Sequence, residues 1–446
     1  MASLPERSRE LAPGAAGSAL RSAAPALGGV ALALVLHFFA TPLIGDFYAK
    51  VLLDIGVNIV LAVSLTMVNG FTGQFSIGHA AFMMVGGYVS AMIVYYGSML
   101  GYGSPDLQGG LISSTISGRE APFVTLADLM FAGSLVAGGL FAAACGYVVG
   151  LPSLRLKGDY LAIVTLGFGE IVRVLVQSQT GDVLYTVEEV RETPIWQLPT
   201  KVGGALGFSG LPFYSSLFWV FLVVSLTLLA AYRLKRSATG RAFLSIREDE
   251  IASEAMGVNT TKFKVSAFTI SAFFAGVAGG LFAHTIGVTL NPGELGFQKS
   301  FDIIIMVVLG GLGSISGATI AAAIVTILPE LLRNPEPLLR LWPALAGIGA
   351  VAAVAGLVMR ARGRSGGLFF KAALAAGIAV ALGFAARSAI DAGHDLGRYR
   401  MILFALALVL LMILRPQGLF GVHEIWERSM WRGLLHAVGG GGKGRA

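Results

Sequence analysis

Apolar runs of roughly bilayer length recur along the chain, separated by short polar breaks. They fall at Ala26–Phe39, Val51–Val68, a third ending near Tyr96, Leu126–Leu151, Tyr160–Val176, Ser215–Tyr232 and Phe263–Ile286. Further runs lie at Asp302–Leu312, which is short for a span, Ala318–Leu332, Leu341–Val358, Leu368–Ala385 and Met401–Leu414. Residues 98–123 and 178–213 are polar and are expected to be external loops. The pattern predicts an all-α, polytopic transmembrane helix bundle.

Composition agrees. The 446 residues are 55% hydrophobic and 13% charged, with mean hydropathy +0.76, whereas a soluble domain carries about 25% charged residues. Sixty glycines suit helices that pack closely in lipid, and Gly276-x-x-x-Gly280 is one such signal. The net charge of +7 reads as positive residues gathered on one face of a bilayer, with no nucleic acid implied. The single cysteine, Cys145, lies in an apolar run, so no disulfide or thiolate metal site is expected.

Residues 1–23 carry Arg7, Arg9 and Arg21. No A-x-A cleavage site follows the run after them, so a first membrane helix with a cytoplasmic N-terminus is expected. Twelve runs put both termini on that side. Cytoplasmic Lys and Arg then outnumber external ones by about two to one, as the positive-inside rule requires.

The stretch from Arg233 to Lys264 interrupts two spans with Arg233, Lys235, Arg236, Arg241, Arg247, Glu248, Asp249, Glu250, Glu254, Lys262 and Lys264. Such a segment must sit in water, on the cytoplasmic side. Ser245 and Glu248 form an S-x-x-E capping box, which predicts a short helix from Ile246 to Met256. Ala252, Ala255 and Met256 would share one face. Gly257 would close the helix, and Asn259 or Thr260 would cap the next span. The residues alone leave two readings open, a helix that docks on a cytosolic partner and a solvated linker.

Gly70, Gly73 and Gly78 break the start of the third run, among Thr72, Gln74, Ser76 and His79. Irregular backbone at membrane depth is tolerated where protein buries it or water lines it, which suggests a transport path. The alternative is an ordinary cytoplasmic turn. Glu170 and Arg173 lie three apart inside another run and can pair, either in the path or as a structural ion pair near the outer interface.

No phosphate-binding G-x-x-x-x-G-K-[ST], H-E-x-x-H or G-x-S-x-G motif occurs, so neither ATP hydrolysis nor hydrolase chemistry is expected, and no cofactor or metal. A stand-alone transporter or channel would need convergent acids or carbonyls. Asp54, Glu170 and Asp302 are the candidates, and they are scattered in sequence.

GQFSIGHAAFMMVGGYVSA (73–91), LRLKGDYLAIVTLGFGEIVR (154–173), GRAFLSIREDEIASEAMGVNTTKFKVSAFTISAFFAGVAGGLFAH (240–284) and RPQGLFG (415–421) resemble permease subunits of branched-chain amino acid ABC transporters, of the LivM type. The resemblance implies a second, homologous permease of the LivH type, two cytosolic ATP-binding subunits and a periplasmic substrate-binding protein. It implies a bacterial inner-membrane location, and import of leucine, isoleucine, valine or other hydrophobic amino acids. Related importers carry urea or short amides. Residues 246–257 stand where such permeases carry the coupling motif E-A-A-x-x-x-G, here Ile251-Ala252-Ser253 and Gly257.

On this reading Arg247, Glu248, Glu250, Ala252, Glu254, Ala255 and Gly257 couple to the ATPases. Gly73, Gln74, Ser76, Gly78, His79 and Glu170 are candidates for the translocation path. The permease core is 24–332, with a coupling helix at 246–256. Residues 333–397 form an inserted two-span hairpin, because in the family pattern ILPELLR runs soon into the last span. Residues 398–421 hold the last core span and the RPQGLFG segment, and 422–446 a cytoplasmic tail. The core then has about ten spans.

Overall fold

The computed structural model describes residues 15–105, 109–113, 123–154, 159–179, 181–286 and 289–333, with 409, 418–421, 424 and 425. Two compact units are present, Met1–Ile303 and Ile304–Ala446.

The first unit contains α1 (Ala15–Leu65), α2 (His79–Tyr102), α3 (Leu126–Ser153), α4 (Asp159–Gln177), α5 (Val187–Glu192), α6 (Leu217–Arg236), α7 (Ala238–Glu248), α8 (Glu250–Ala255), α9 (Thr260–Ile286) and the start of α10 (Phe297–Gly310). Among the described residues, six helices are long and apolar enough to cross a membrane, at Pro42–Gly70, His79–Tyr102, Leu126–Ser153, Tyr160–Gln177, Leu217–Arg236 and Thr260–Thr285. Ala24–Ala40 and Ile315–Glu330 are shorter apolar helices. The expected runs at 341–358 and 368–385, and all but one residue of 401–414, lie outside the described residues.

α1 is continuous except at Gly45, whose φ of 80° and ψ of 163° turn the chain. Gly29 on one arm packs on Ser225 of α6, and Gly56 on the other packs on Val220 and Val224. Both arms therefore reach the same stretch of α6, as expected of two spans folded back on each other.

α9 packs against both α2 and α3 at the centre of the unit. Gly86, Gly138 and Gly276 bring the three backbones together. A Cβ at Gly138 would lie 2.6 Å from the Gly86 carbonyl oxygen, and one at Gly276 would lie 2.8 Å from that of Gly138. Any side chain there would force the helices apart, so the small residues set the spacing.

The segment after α4 carries short structure that the all-α reading did not predict. Thr186 and Glu189 form a capping box that starts α5. Two 3-10 turns follow, at Ile195–Thr200 and Gly204–Leu206, then β1 (Phe208–Ser209), antiparallel to β2 (Thr289–Leu290). Strands of two residues are too short for alternation to reveal. Nearby, buried Asp128 accepts from Gly110 N at 3.0 Å, Tyr214 Oη at 2.6 Å and Ser113 Oγ. Its second role is in the Thr125 capping box at the start of α3.

The second unit holds the end of α10 and α11 (Ile315–Arg333). Glu424 accepts from the backbone of Ile315 and Ser316, each at 2.9 Å. A carboxylate is thus placed on free amides at a helix N-terminus. Leu419 N donates to Leu309 O at 2.7 Å, so residues 418–421 lie against the end of α10.

Candidate functional site

The charged stretch folds as two helices where one was expected. Ser237 caps α7, accepting from Gly240 N at 3.0 Å. Phe243 and Ile246, three apart, are buried on α7, and Phe243 meets Phe263 of α9 edge-on. That packing makes residues 245–248 the end of a helix. Ser245 accordingly does not cap: its hydroxyl donates to Ala242 O at 2.9 Å. Asp249 is extended, and its Oδ1 accepts from Ala252 N at 3.0 Å, so α8 begins at Glu250 and not at Ile246. Gly257 closes α8 with φ +85°. Asn259 caps α9, accepting from Lys262 N at 3.0 Å.

The acids of α8 are turned back onto the chain. Glu250 pairs with Lys264 Nζ at 2.5 Å, and Lys264 is buried. Glu254 accepts from Thr260 Oγ1 at 2.5 Å. α8 is therefore fastened to α9 at both ends. Arg247, in the last turn of α7, donates to the carbonyl of Gly70 at 2.9 Å. Glu248, Ala252, Ala255 and Gly257 are exposed, as are Ile251 at 75% and Met256 at 84%. An apolar face is thus presented outward from a short helix held rigidly from behind.

The glycine-broken segment lies at the other end of the Arg247 bond. α1 passes into a π turn at Thr66–Gly70, a geometry found frequently at functional sites. Gly73, at φ +70°, runs beside Arg247, and a Cβ there would come within 3.3 Å of Arg247 Cγ. The free amides that follow are met from two other elements and from Asn69. Ser76 N donates to Asn69 Oδ1 at 3.2 Å, Ile77 N to Thr165 Oγ1 of α4 at 3.1 Å, and Ala80 N to Ser300 Oγ of α10 at 3.3 Å. His79 Nε2 is 2.8 Å from Ser64 Oγ, and Ser271 Oγ of α9 donates to Ser64 O at 2.6 Å.

In this conformation Ser76, Gly78 and His79 are buried, Gln74 is half-buried and Gly73 is exposed. Asn69 Nδ2 and Ser76 Oγ are buried without a hydrogen-bond partner among the described residues, a costly arrangement in an apolar interior. Asn69, Thr165, Ser271 and Ser300 were missed by sequence reasoning. Hydroxyl and amide side chains inside apolar runs were the signal available for them.

Glu170 stands apart from this arrangement. Its Oε2 lies 2.7 Å from Arg173 Nε and 2.6 Å from Nη2. The two side chains are 37% and 29% exposed, and Arg173 also donates to Gln177 at 2.9 Å. Of the acids that looked scattered, Asp302 lies one helical turn after Lys299 on α10, and Asp54 lies one turn before Asn58, whose Oδ1 accepts from Lys299 Nζ at 3.1 Å.

Residues 47–337 match the family described as branched-chain amino acid transport system / permease component. The chain is 35% identical over 301 residues to the high-affinity branched-chain amino acid transport system permease protein LivM of Salmonella typhimurium and to that of Escherichia coli. Each match covers 62% of this chain and 62% of the relative, so the chain spans less than two thirds of their length. It is 26% identical over 272 residues to the LivH permease of Escherichia coli, covering 61% of this chain and 80% of that protein. No solved structure matches. Carrying that family's pattern over more than half its length, this multi-pass chain belongs to the branched-chain amino acid transport system permease family.

Proposed function

We propose that the chain is a permease subunit of an ABC importer for branched-chain or other hydrophobic amino acids, forming the translocation path and coupling to partner ATPases. ATP hydrolysis takes place on two separate cytosolic subunits. A second permease of the LivH type and a periplasmic substrate-binding protein complete the assembly, in the lipid of a bacterial inner membrane. About ten core spans with an inserted hairpin at 333–397 leave both termini cytoplasmic.

One observation carries this reading. An exposed apolar helix, α8, is tied to α9 through Glu250–Lys264 and Glu254–Thr260, and α7 beside it is tied to the membrane break through Arg247 and Gly70. A push on Ile251 and Met256 from a closing ATPase dimer is passed to α9, which packs on α2 and α3, and to the segment that opens α2. The shift requires that the ATPases bind one state better than the other. The path runs by Gly73, Gln74, Ser76, Gly78 and His79. Ser76 and His79 are enclosed in this conformation, and they are exposed in the alternate one. Glu170 lies outside this path, because its carboxylate is engaged by Arg173 on its own helix.

Co-expression with candidate ATPase, permease and binding-protein partners tests the proposal. The complex should co-purify and should import leucine, isoleucine or valine into vesicles only with ATP. Import of urea or short amides alone would change the substrate class. ATP-independent transport by the isolated chain would replace the proposal with a stand-alone carrier.

A further inference from the structure

We infer that Lys299, with Asp302 and Asp54, forms a subsite for the zwitterionic head of the amino acid. The inference rests on the reading of the chain as an amino acid permease. Lys299 lies in the first turn of α10. Its ammonium donates to Asn58 Oδ1 of α1 at 3.1 Å and sits 5.8 Å from the centre of the Phe282 ring of α9. Asp302 lies one turn further along α10, and Asp54 one turn before Asn58 on α1, so helix spacing carries both carboxylates toward the Lys299–Asn58 contact.

Leu53, Ile55, Val57 and Ile303, their neighbours in sequence, are buried, and Asp54, Lys299 and Asp302 are half-buried. Ionisable groups in such a place are costly and mark ligand pathways. An amino acid brings one carboxylate and one ammonium, and both must be matched as water is stripped from them. Lys299 suits the carboxylate, with the partial positive charge of the α10 N-terminus behind it. Asp302 and Asp54 suit the ammonium. Ala80, just past the glycine-broken segment, is bonded to Ser300 on the next position of α10, which places the subsite against the proposed path. A clamp that only joined α1 to α10 would be indifferent to the charges on a substrate.

The test uses the full chain assembled with its partners, carrying Phe301→Cys as a reporter in a Cys145→Ala background. Phe301 is 38% exposed and adjoins Asp302. Leucine, leucinamide, which lacks the carboxylate, and 4-methylpentanoate, which lacks the ammonium, are compared as protectants against a thiol reagent. Leucine should protect at about tenfold lower concentration than either analogue, the factor set by one lost charge-assisted hydrogen bond. Lys299→Met should erase the advantage over leucinamide, Lys299→Arg should keep it, and Asp302→Asn should erase the advantage over 4-methylpentanoate. If Lys299→Met fails to give a monodisperse complex, Asp302→Asn decides alone. An equal loss for all three compounds, or no protection by leucine in a complex that still imports it, overturns the subsite. Absence of any amino acid import by the unsubstituted complex overturns the permease reading, and the subsite with it.

Discussion

Arg247 donates to the main-chain oxygen of Gly70 across 2.9 Å, joining the helix before α8 to the π turn that ends α1. A guanidinium on a carbonyl is a charge-assisted bond of about 1.5–3 kcal/mol, and it spans 177 positions of sequence. Replacing it should uncouple the two regions without dismantling either. Arg247→Met is expected to leave membrane insertion and ATPase co-purification intact while ATP-driven uptake falls. Uptake equal to that of the unsubstituted protein would show that this bond carries no motion.

Sequence patterning found the first spans, the glycine-broken segment and a short helix in the charged stretch, because each has a local signal. It placed the start of that helix wrongly because Ser245-x-x-Glu248 has the sequence of a capping box, whereas Asp249 four residues later, followed at N3 by Ala252, caps with its own side chain alone. Only the burial of Phe243 and Ile246 decides between them, and burial depends on α9. The partners of the broken segment were out of reach for a different reason. Thr165 and Ser300 lie 88 and 220 residues from the amides they receive, and nothing in local periodicity links them. Arg247, Glu250 and Glu254 looked like surface charges for a partner. Their inward bonds follow from the tertiary fold.

The outward face of α8 is where the partner should bind. Ile251 and Met256 are 75% and 84% exposed, so charging them costs the fold little. Ile251→Asp and Met256→Asp should insert and unfold like the parent and should lose ATPase co-purification. Retained co-purification in the double variant would leave α8 a solvated linker.

Gly257 has open space around it and a φ of +85°. Substitution there is therefore a test of backbone conformation alone, with no steric collision. A β-branched residue resists this region, at about 1–2 kcal/mol or more, whereas Asn enters it more readily. Gly257→Val should weaken ATPase association and uptake, and Gly257→Asn should retain most of both. Equal behaviour of the two variants would show that the left-handed turn is dispensable.

Glu170 and Arg173 would behave as a buried pair if sealed in the bundle, with single changes worse than the double. Their exposures of 37% and 29% place them instead with partly solvated pairs, worth up to about 1 kcal/mol. Glu170→Gln, Arg173→Met and the double variant should differ little in thermal unfolding and in uptake. A Glu170→Gln protein that folds normally but does not transport would return Glu170 to the path.

The break before α2 offers a contrast within six residues. Gln74 is half-buried, while Ser76 and His79 are 1% and 3% exposed. An ordinary cytoplasmic turn would be wet in every state, and its labelling would not respond to nucleotide. A gated path must expose different positions in different states. Ser76 Oγ and Asn69 Nδ2 are enclosed without a hydrogen-bond partner among the described residues, and a conformation that admits water or substrate relieves that cost. Single cysteines replacing Gln74, Ser76 and His79 in a Cys145→Ala background should separate the two cases. A water-soluble thiol reagent should reach Gln74→Cys readily with or without trapped ATP. It should reach Ser76→Cys and His79→Cys slowly at rest and faster in one nucleotide state. Labelling rates at 76 and 79 that ignore ATP in a complex still able to transport would remove these residues from the path and leave them as the polar hub that anchors α2.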